Sequence, residues 1–163
     1  MYINTALNFT GSKYKLLDQI LPEMDYTKKY FVDLFTGSGV VGFNVANNYE
    51  KILLNDIIKD LIGIHKEIIN NPYIFINRVK SLVVSKEDQE GFNKLRENYN
   101  NNNSAEGLYA LMLCSTNNFL RFNKSFKYNQ TFGRRTFSDN TQKKLNEFIK
   151  YIQLYKDKLV FSS

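Results

Sequence analysis

Apolar and polar positions follow two rhythms along this chain, one short and continuous, the other spaced like a helix. The short apolar run Tyr30–Phe31–Val32 meets an acid at Asp33, and a second run, Lys51–Asn55, ends at Asp56. Such runs, bounded by turn residues, predict buried parallel strands. Between them Gly37-Ser38-Gly39-Val40-Val41-Gly42 leads into an apolar helical pattern, which predicts a glycine turn and a helix over Val40–Asn47. Helical spacing then takes over. Ile57–Asn70 carries Ile57, Leu61, Ile64 and Ile68 on one stripe, and Pro72 opens a helix to about Val84. Ser85-Lys86-Glu87-Asp88 reads as the cap of a helix over Asp88–Tyr99. Asn98–Asn103, polar except for Tyr99, predicts a loop. Leu108, Leu111, Met112 and Phe119 predict a buried helix from about Ala105. Ser138 and Thr141 cap a last amphipathic helix with Leu145, Phe148, Ile149 and Ile152, and Leu159–Phe161 predicts a third strand. Near the front, Leu16, Leu17, Ile20 and Leu21 form a helical pattern that Pro22 is expected to end.

The order is strand, helix, strand, a long mostly helical insertion, then strand. That is an α/β chain, and its 163 residues suit one domain with a modest insertion. No apolar run reaches the ~18 residues of a membrane span, and no signal-peptide pattern is visible. Cys114 is the single cysteine, so an internal disulfide is impossible. It reads as a small buried residue and fits a reducing, cytoplasmic setting. His65 lies beside the Ile57–Ile68 stripe with no Cys or His at ligand spacing, and is expected to be structural or solvent-facing. No metal site is expected.

The candidate chemistry sits at the strand ends. Asp33 lies where open α/β sheets bind ligands, and glycines let the backbone approach a ligand closely. Asp56, nineteen positions after Gly37, suits a ribose hydroxyl pair. The architecture points to a nucleoside cofactor without saying which. Because G-S-G-V-V-G also matches the dinucleotide fingerprint, a nicotinamide (NAD) enzyme stays open at this point. The turn Gly11-Ser12-Lys13 precedes a helix, so it either holds a carboxylate through backbone N–H groups and the ammonium or is an ordinary cap.

Charge adds a partner. The formal charge of +6 and pI near 9.3 favour an anion, but the position of the charge matters more. Arg121–Phe137, R-F-N-K-S-F-K-Y-N-Q-T-F-G-R-R-T-F, holds Arg121, Lys124, Lys127, Arg134 and Arg135 and no acid. Phe122, Phe126, Tyr128, Phe132 and Phe137 are interleaved, with Asn123, Asn129 and Gln130 among them. Cations hold phosphates, aromatics stack on or wedge between bases, and Arg, Asn and Gln read base edges. The competing interpretation is a solvated basic hairpin whose aromatics fill the core beneath it.

Taken together, N-F-T-G-S-K near the front, F-V-D-L-F-T-G-S-G on the first strand and I-L-L-N-D on the second resemble the Dam-type (D12 class) DNA adenine-N6 methyltransferases. R-F-N-K…Y-N-Q-T-F-G-R-R and K-L-V-F-S-S continue the resemblance in the family's order, from about Ala6 to Ser163. It implies a Rossmann-like methyltransferase lobe, an incomplete parallel sheet over residues 1–56 and 157–163. A mostly helical target-recognition insertion with a basic hairpin would occupy residues 57–156. S-adenosylmethionine would be the cofactor, adenine N6 in a short duplex DNA site the acceptor, and a bacterial or phage protein the setting. By resemblance, Phe9, Lys13, Asp33, Phe35, Gly37, Gly39 and Asp56 bind the cofactor. Arg121 would contact a base and Arg134 a phosphate. Asn118, Asn123, Lys124, Lys127, Asn129 and Arg135 complete the DNA-binding candidates.

Three departures from the family's pattern stand out. Thr131 replaces a frequent proline before Phe-Gly, and Thr116 or Asn117 stands where the family often has a wedging aromatic. The catalytic Asp-Pro-Pro-Tyr is absent, and its nearest imitation, Asn70-Asn71-Pro72-Tyr73, reads as a helix stop and restart. No catalytic residue is therefore named. The expectation is an N-terminal part of a methyltransferase, inactive alone. It would present an open sheet edge to a C-terminal fragment or to itself, or be a non-catalytic DNA-binding remnant.

Overall fold

In the computed structural model, which describes residues 2–7, 9 and 11–163, three short strands form one parallel sheet. They are β1 (Tyr30–Asp33), β2 (Lys51–Asn55) and β3 (Leu159–Ser162), with β2 in the middle. The register aligns Phe31 with Ile52 and Ile52 with Leu159, then Val32 with Leu53 and Leu53 with Val160. Since side chains alternate across a strand, these rows lie on opposite faces. Phe31, Ile52, Leu54, Leu159 and Phe161 pack into the core, while Val32 and Val160 stay exposed. Parallel pairing also brings the carboxyl ends of all three strands to one edge, where Asp33, Asp56 and Ser162 gather.

A short helix, α1 (Leu17–Ile20), precedes the sheet, and α2 (Val40–Asn44) connects β1 to β2. The path from β2 to β3 runs through α3 (Lys59–Asn70), α4 (Pro72–Leu82), α5 (Gln89–Asn101), α6 (Ala105–Cys114) and α7 (Asp139–Ile152). Every residue of α6 from Gly107 to Cys114 is buried, as befits a helix that is apolar all round. It forms the centre of the insertion, with α3, α4 and α5 packed about it. Side chains of Asp88, Ser104 and Ser138 accept backbone N–H groups at the starts of α5, α6 and α7. Pro72 is the first residue of α4 and Asn71 breaks it from α3, so Asn70–Tyr73 is the stop and restart expected.

Three expectations need correction. Pro22 sits inside a 3₁₀ turn, Leu21–Glu23, that extends the first helical segment. The asparagine tract continues α5 as far as Asn101, because Tyr99 is buried and Asn100 finds partners in another segment. Phe119 lies beyond the end of α6 and is partly exposed. His65, expected to be structural or solvent-facing, is buried on α3 and bonded to backbone, the structural alternative. Cys114 is buried as expected. No helix among the described residues is long and apolar enough to cross a membrane.

Candidate cofactor cleft and nucleic-acid hairpin

The turn from β1 into α2 is held by three separate devices. Gly39 has φ +73°, and a Cβ there would lie 2.2 Å from the Phe43 ring, so glycine is required on both counts. Gly37 has φ +50°, and its peptide groups are gripped from both sides. Its N–H donates to Asp56 Oδ2 at 2.9 Å, and its carbonyl lies 2.9 Å from His65 Nε2. A carbonyl only accepts, so Nε2 carries the imidazole proton. Asp56 Oδ1 also accepts the Ile58 N–H at 3.1 Å, tying the turn to the entry of α3.

His65 therefore helps to frame the turn beside the candidate site, a contact that the sequence did not signal. Its partner lies 28 positions away, and no local pattern links the two. Its ring meets Phe43 edge-on at 5.3 Å, and its Nδ1 is buried with no partner among the described residues. Burial pushes its pKa down to about 4, against smaller upward effects of the Gly37 carbonyl and Asp56.

In front of this turn opens a cavity of about 480 Å³. Phe9, Gly11 and Lys13 line one side, and Asp33, Phe35, Gly37 and Ser38 line the other. Lys13 Nζ donates to the Gly11 carbonyl at 2.9 Å. Phe35 is 89% exposed, an aromatic left facing the cavity instead of the core. Burial raises the pKa of Asp33; the Phe35 N–H opposes this and Asp56 adds to it. Of the seven cofactor candidates, Phe9, Lys13, Asp33, Phe35 and Gly37 share the cavity. Gly39 is buried behind it, and Asp56 holds the turn from the side without lining the cavity. Asn8 and Thr10 of N-F-T-G-S-K lie outside the described residues.

The basic stretch forms a hairpin, with antiparallel bridges at Phe122–Tyr128 and Ser115–Phe132. Its aromatics divide. Tyr128 is buried, Phe122, Phe132 and Phe137 pack against the core, and Phe126 is exposed. The competing interpretation of these rings as core filler thus holds for four and fails for one. Asn100 of α5 imitates a strand partner: its Oδ1 accepts the Tyr128 N–H at 2.7 Å and its Nδ2 donates to the Tyr128 carbonyl at 3.0 Å. The Lys127 ammonium is turned to the Asn100 carbonyl. Arg96, also missed in the sequence, donates to the Gln130 carbonyl at 3.1 Å. Thr131 pairs with Thr116 through their hydroxyls at 3.1 Å and through the Thr116 N–H, so the missing proline is replaced by a cross-strand contact.

The DNA candidates are spread differently. Arg121, Lys124, Arg134 and Arg135 are exposed, with Arg134 at φ +52°. Asn123 uses its Oδ1 to accept the N–H groups of Ser125 and Lys127, which shapes the turn. Asn118 is buried at φ +54°. Asn129 keeps a buried Oδ1 without a partner among the described residues.

A family profile described as D12 class N6 adenine-specific DNA methyltransferase matches residues 9–163. The chain belongs to this D12 class. The match runs through the glycine turn, the second-strand acid and the hairpin together, which decides against the nicotinamide assignment. Among curated proteins, the D12 chain is 38% identical over 155 residues to the type II methyltransferase M.FokI of Planomicrobium okeanokoites. It is 33% identical over 159 residues to the modification methylase StsI of Streptococcus sanguinis. These matches cover 91% and 93% of the chain but 24% of each relative, so the chain spans about a quarter of their length. A DNA adenine methylase of Vibrio cholerae is 27% identical over 132 residues, covering 78% of the chain and 47% of that relative.

Proposed function

We propose that these residues bind S-adenosylmethionine and grip duplex DNA for methyl transfer to adenine N6. The observation that carries this is the cavity at the carboxyl edge of β1, where a carboxylate, a lysine, an exposed aromatic and a glycine turn converge. Its volume suits a nucleoside-sized ligand. When bound, the cofactor supplies a methyl group activated on a sulfonium sulfur. Asp33 and Phe35 suit the cationic and planar parts of such a ligand, and Phe9 and Lys13 close the cavity from the N-terminal side. Asp56, outside the cavity lining, acts through the turn it holds, since its two oxygens accept the Gly37 and Ile58 N–H groups.

We assign residues 1–56 and 157–163 to the cofactor lobe and residues 57–156 to target recognition, with α3 serving both through His65. Asp-Pro-Pro-Tyr occurs nowhere in the 163 residues. The groups that would relieve charge on the attacking amine are therefore not among them, and our assignment is donor binding and DNA grip, not amine activation.

Calorimetry with S-adenosylhomocysteine and with NAD tests the cofactor claim. Binding of the first, weakened about tenfold or more by Asp33→Asn, is expected; preference for NAD would overturn it. For DNA, the five hairpin cations set the scale. If each meets a phosphate, affinity should fall roughly 100- to 500-fold between 50 and 200 mM salt. A salt-independent affinity would remove the DNA claim.

A further inference from the structure

Of the hairpin's aromatics, Phe126 alone turns outward, 77% exposed, in a left-handed conformation (φ +54°) that disfavours a bulky L-residue. The conformation is imposed by the turn around it. Asn123 Oδ1 accepts the Ser125 and Lys127 N–H groups at 2.9 and 3.0 Å, and the Phe126 N–H donates to the Asn123 carbonyl at 3.0 Å. A pinned turn that holds an aromatic in water keeps it where a partner ring can reach it.

The partner's place is also visible. Phe126 and Ile57, itself 82% exposed, share a hollow of about 290 Å³ with Phe122 and Tyr99. Its polar groups converge at one side: the Tyr99 hydroxyl donates to Asp60 Oδ2 at 2.7 Å and is hydrogen-bonded by the Asn103 side chain, with Lys59 at the rim. Apolar walls with a few hydrogen-bonding groups at the edge suit a planar heterocycle. Lys124 lies on the same turn and is exposed, so a phosphate held there presents its neighbouring base to Phe126.

We propose that Phe126 stacks on a nucleobase of the bound DNA displaced from the helix, with the hollow beside Ile57 receiving its edge. The inference rests on the DNA reading above, and the experiment separates the two. A short duplex carrying one unpaired 2-aminopurine is titrated with the wild-type chain, Phe126→Ala and Phe126→Trp, with S-adenosylhomocysteine affinity measured in parallel. Stacking of one base contributes enough that Phe126→Ala should lose roughly tenfold or more in DNA affinity, together with the 2-aminopurine fluorescence change. Phe126→Trp should retain both, and the salt slope and S-adenosylhomocysteine affinity should not move. Phe126→Ala binding DNA like wild type, with the same fluorescence change, would overturn the proposal. So would a loss confined to S-adenosylhomocysteine, which would give the hollow to the cofactor. Failure of the wild-type chain to bind any duplex at low salt would overturn the DNA reading itself, and this inference with it.

Discussion

A single imidazole sets a pH limit on the glycine turn. His65 is fully buried and neutral, and donates to the Gly37 carbonyl. In the unfolded chain it titrates near the ordinary value of 6.5, and in the fold at about 4. Between these values the unfolded state binds the extra proton, so stability rises with pH there. The contribution is intact above about pH 6.5 and is lost as pH falls toward 4, by up to about 3 kcal/mol. His65→Gln keeps an amide N–H for the carbonyl but cannot titrate. Urea melts at about pH 7 and pH 4.5 should show a steeper loss for the wild type than for the glutamine variant. Equal losses would mean that His65 does not govern this limb. Asp33, Phe35, Gly37 and Lys13 were legible because each belongs to a local motif. His65 was not, because its role exists only once α3 lies against the turn.

Among the elements, the hairpin depends on one close approach. A Cβ on Gly133 would lie 2.4 Å from the carbonyl carbon and oxygen of Ser115, and these are backbone atoms that no rotamer change can move aside. The Gly133 N–H meanwhile donates to the Cys114 carbonyl at 2.9 Å. Gly133→Ala should therefore lift the F-G-R-R strand away from the end of α6, at a cost of about 1–3 kcal/mol. A lower thermal midpoint and weaker duplex binding at low salt, with unchanged S-adenosylhomocysteine affinity, are expected. A variant with wild-type DNA affinity would show that the hairpin does not need this seat. The strands and most helices were legible from periodicity and caps, since Asp88 and Ser138 act as their positions suggest. The asparagine tract was not, because polarity alone favours a loop, while the Asn100–Tyr128 pairing that rewards the helix is tertiary. The aromatics of the hairpin were legible as a group, but only the fold separates Phe126 from the four that pack inward.

At the scale of the molecule, the sheet is covered on one side only. Parallel strands are ordinarily buried on both faces, because an apolar surface left in water forfeits its burial energy. Here Phe31, Ile52 and Leu159 meet the helices, whereas Val32 and Val160 flank Leu53 on a face that remains open, and Tyr30 is exposed beside them. Both outer strands, β1 and β3, also have one unpaired edge within the described sheet. A contiguous apolar row beside unpaired backbone groups binds apolar dyes and other chains. The folded chain should therefore enhance anilinonaphthalene sulfonate fluorescence without denaturant, and its sedimentation should depend on concentration. Tyr30→Lys combined with Val160→Lys places two like charges on that face, outside the cavity lining, while leaving the helical face untouched. Both signals should fall while the circular dichroism spectrum and S-adenosylhomocysteine affinity hold. If the dye signal is absent in the wild type, or persists in the double variant, the sheet face is not the sticky surface. The exposed side chains of Phe35, Ile57 and Phe126 would then be the place to look, and they are separable by the same dye displaced with S-adenosylhomocysteine or with duplex DNA.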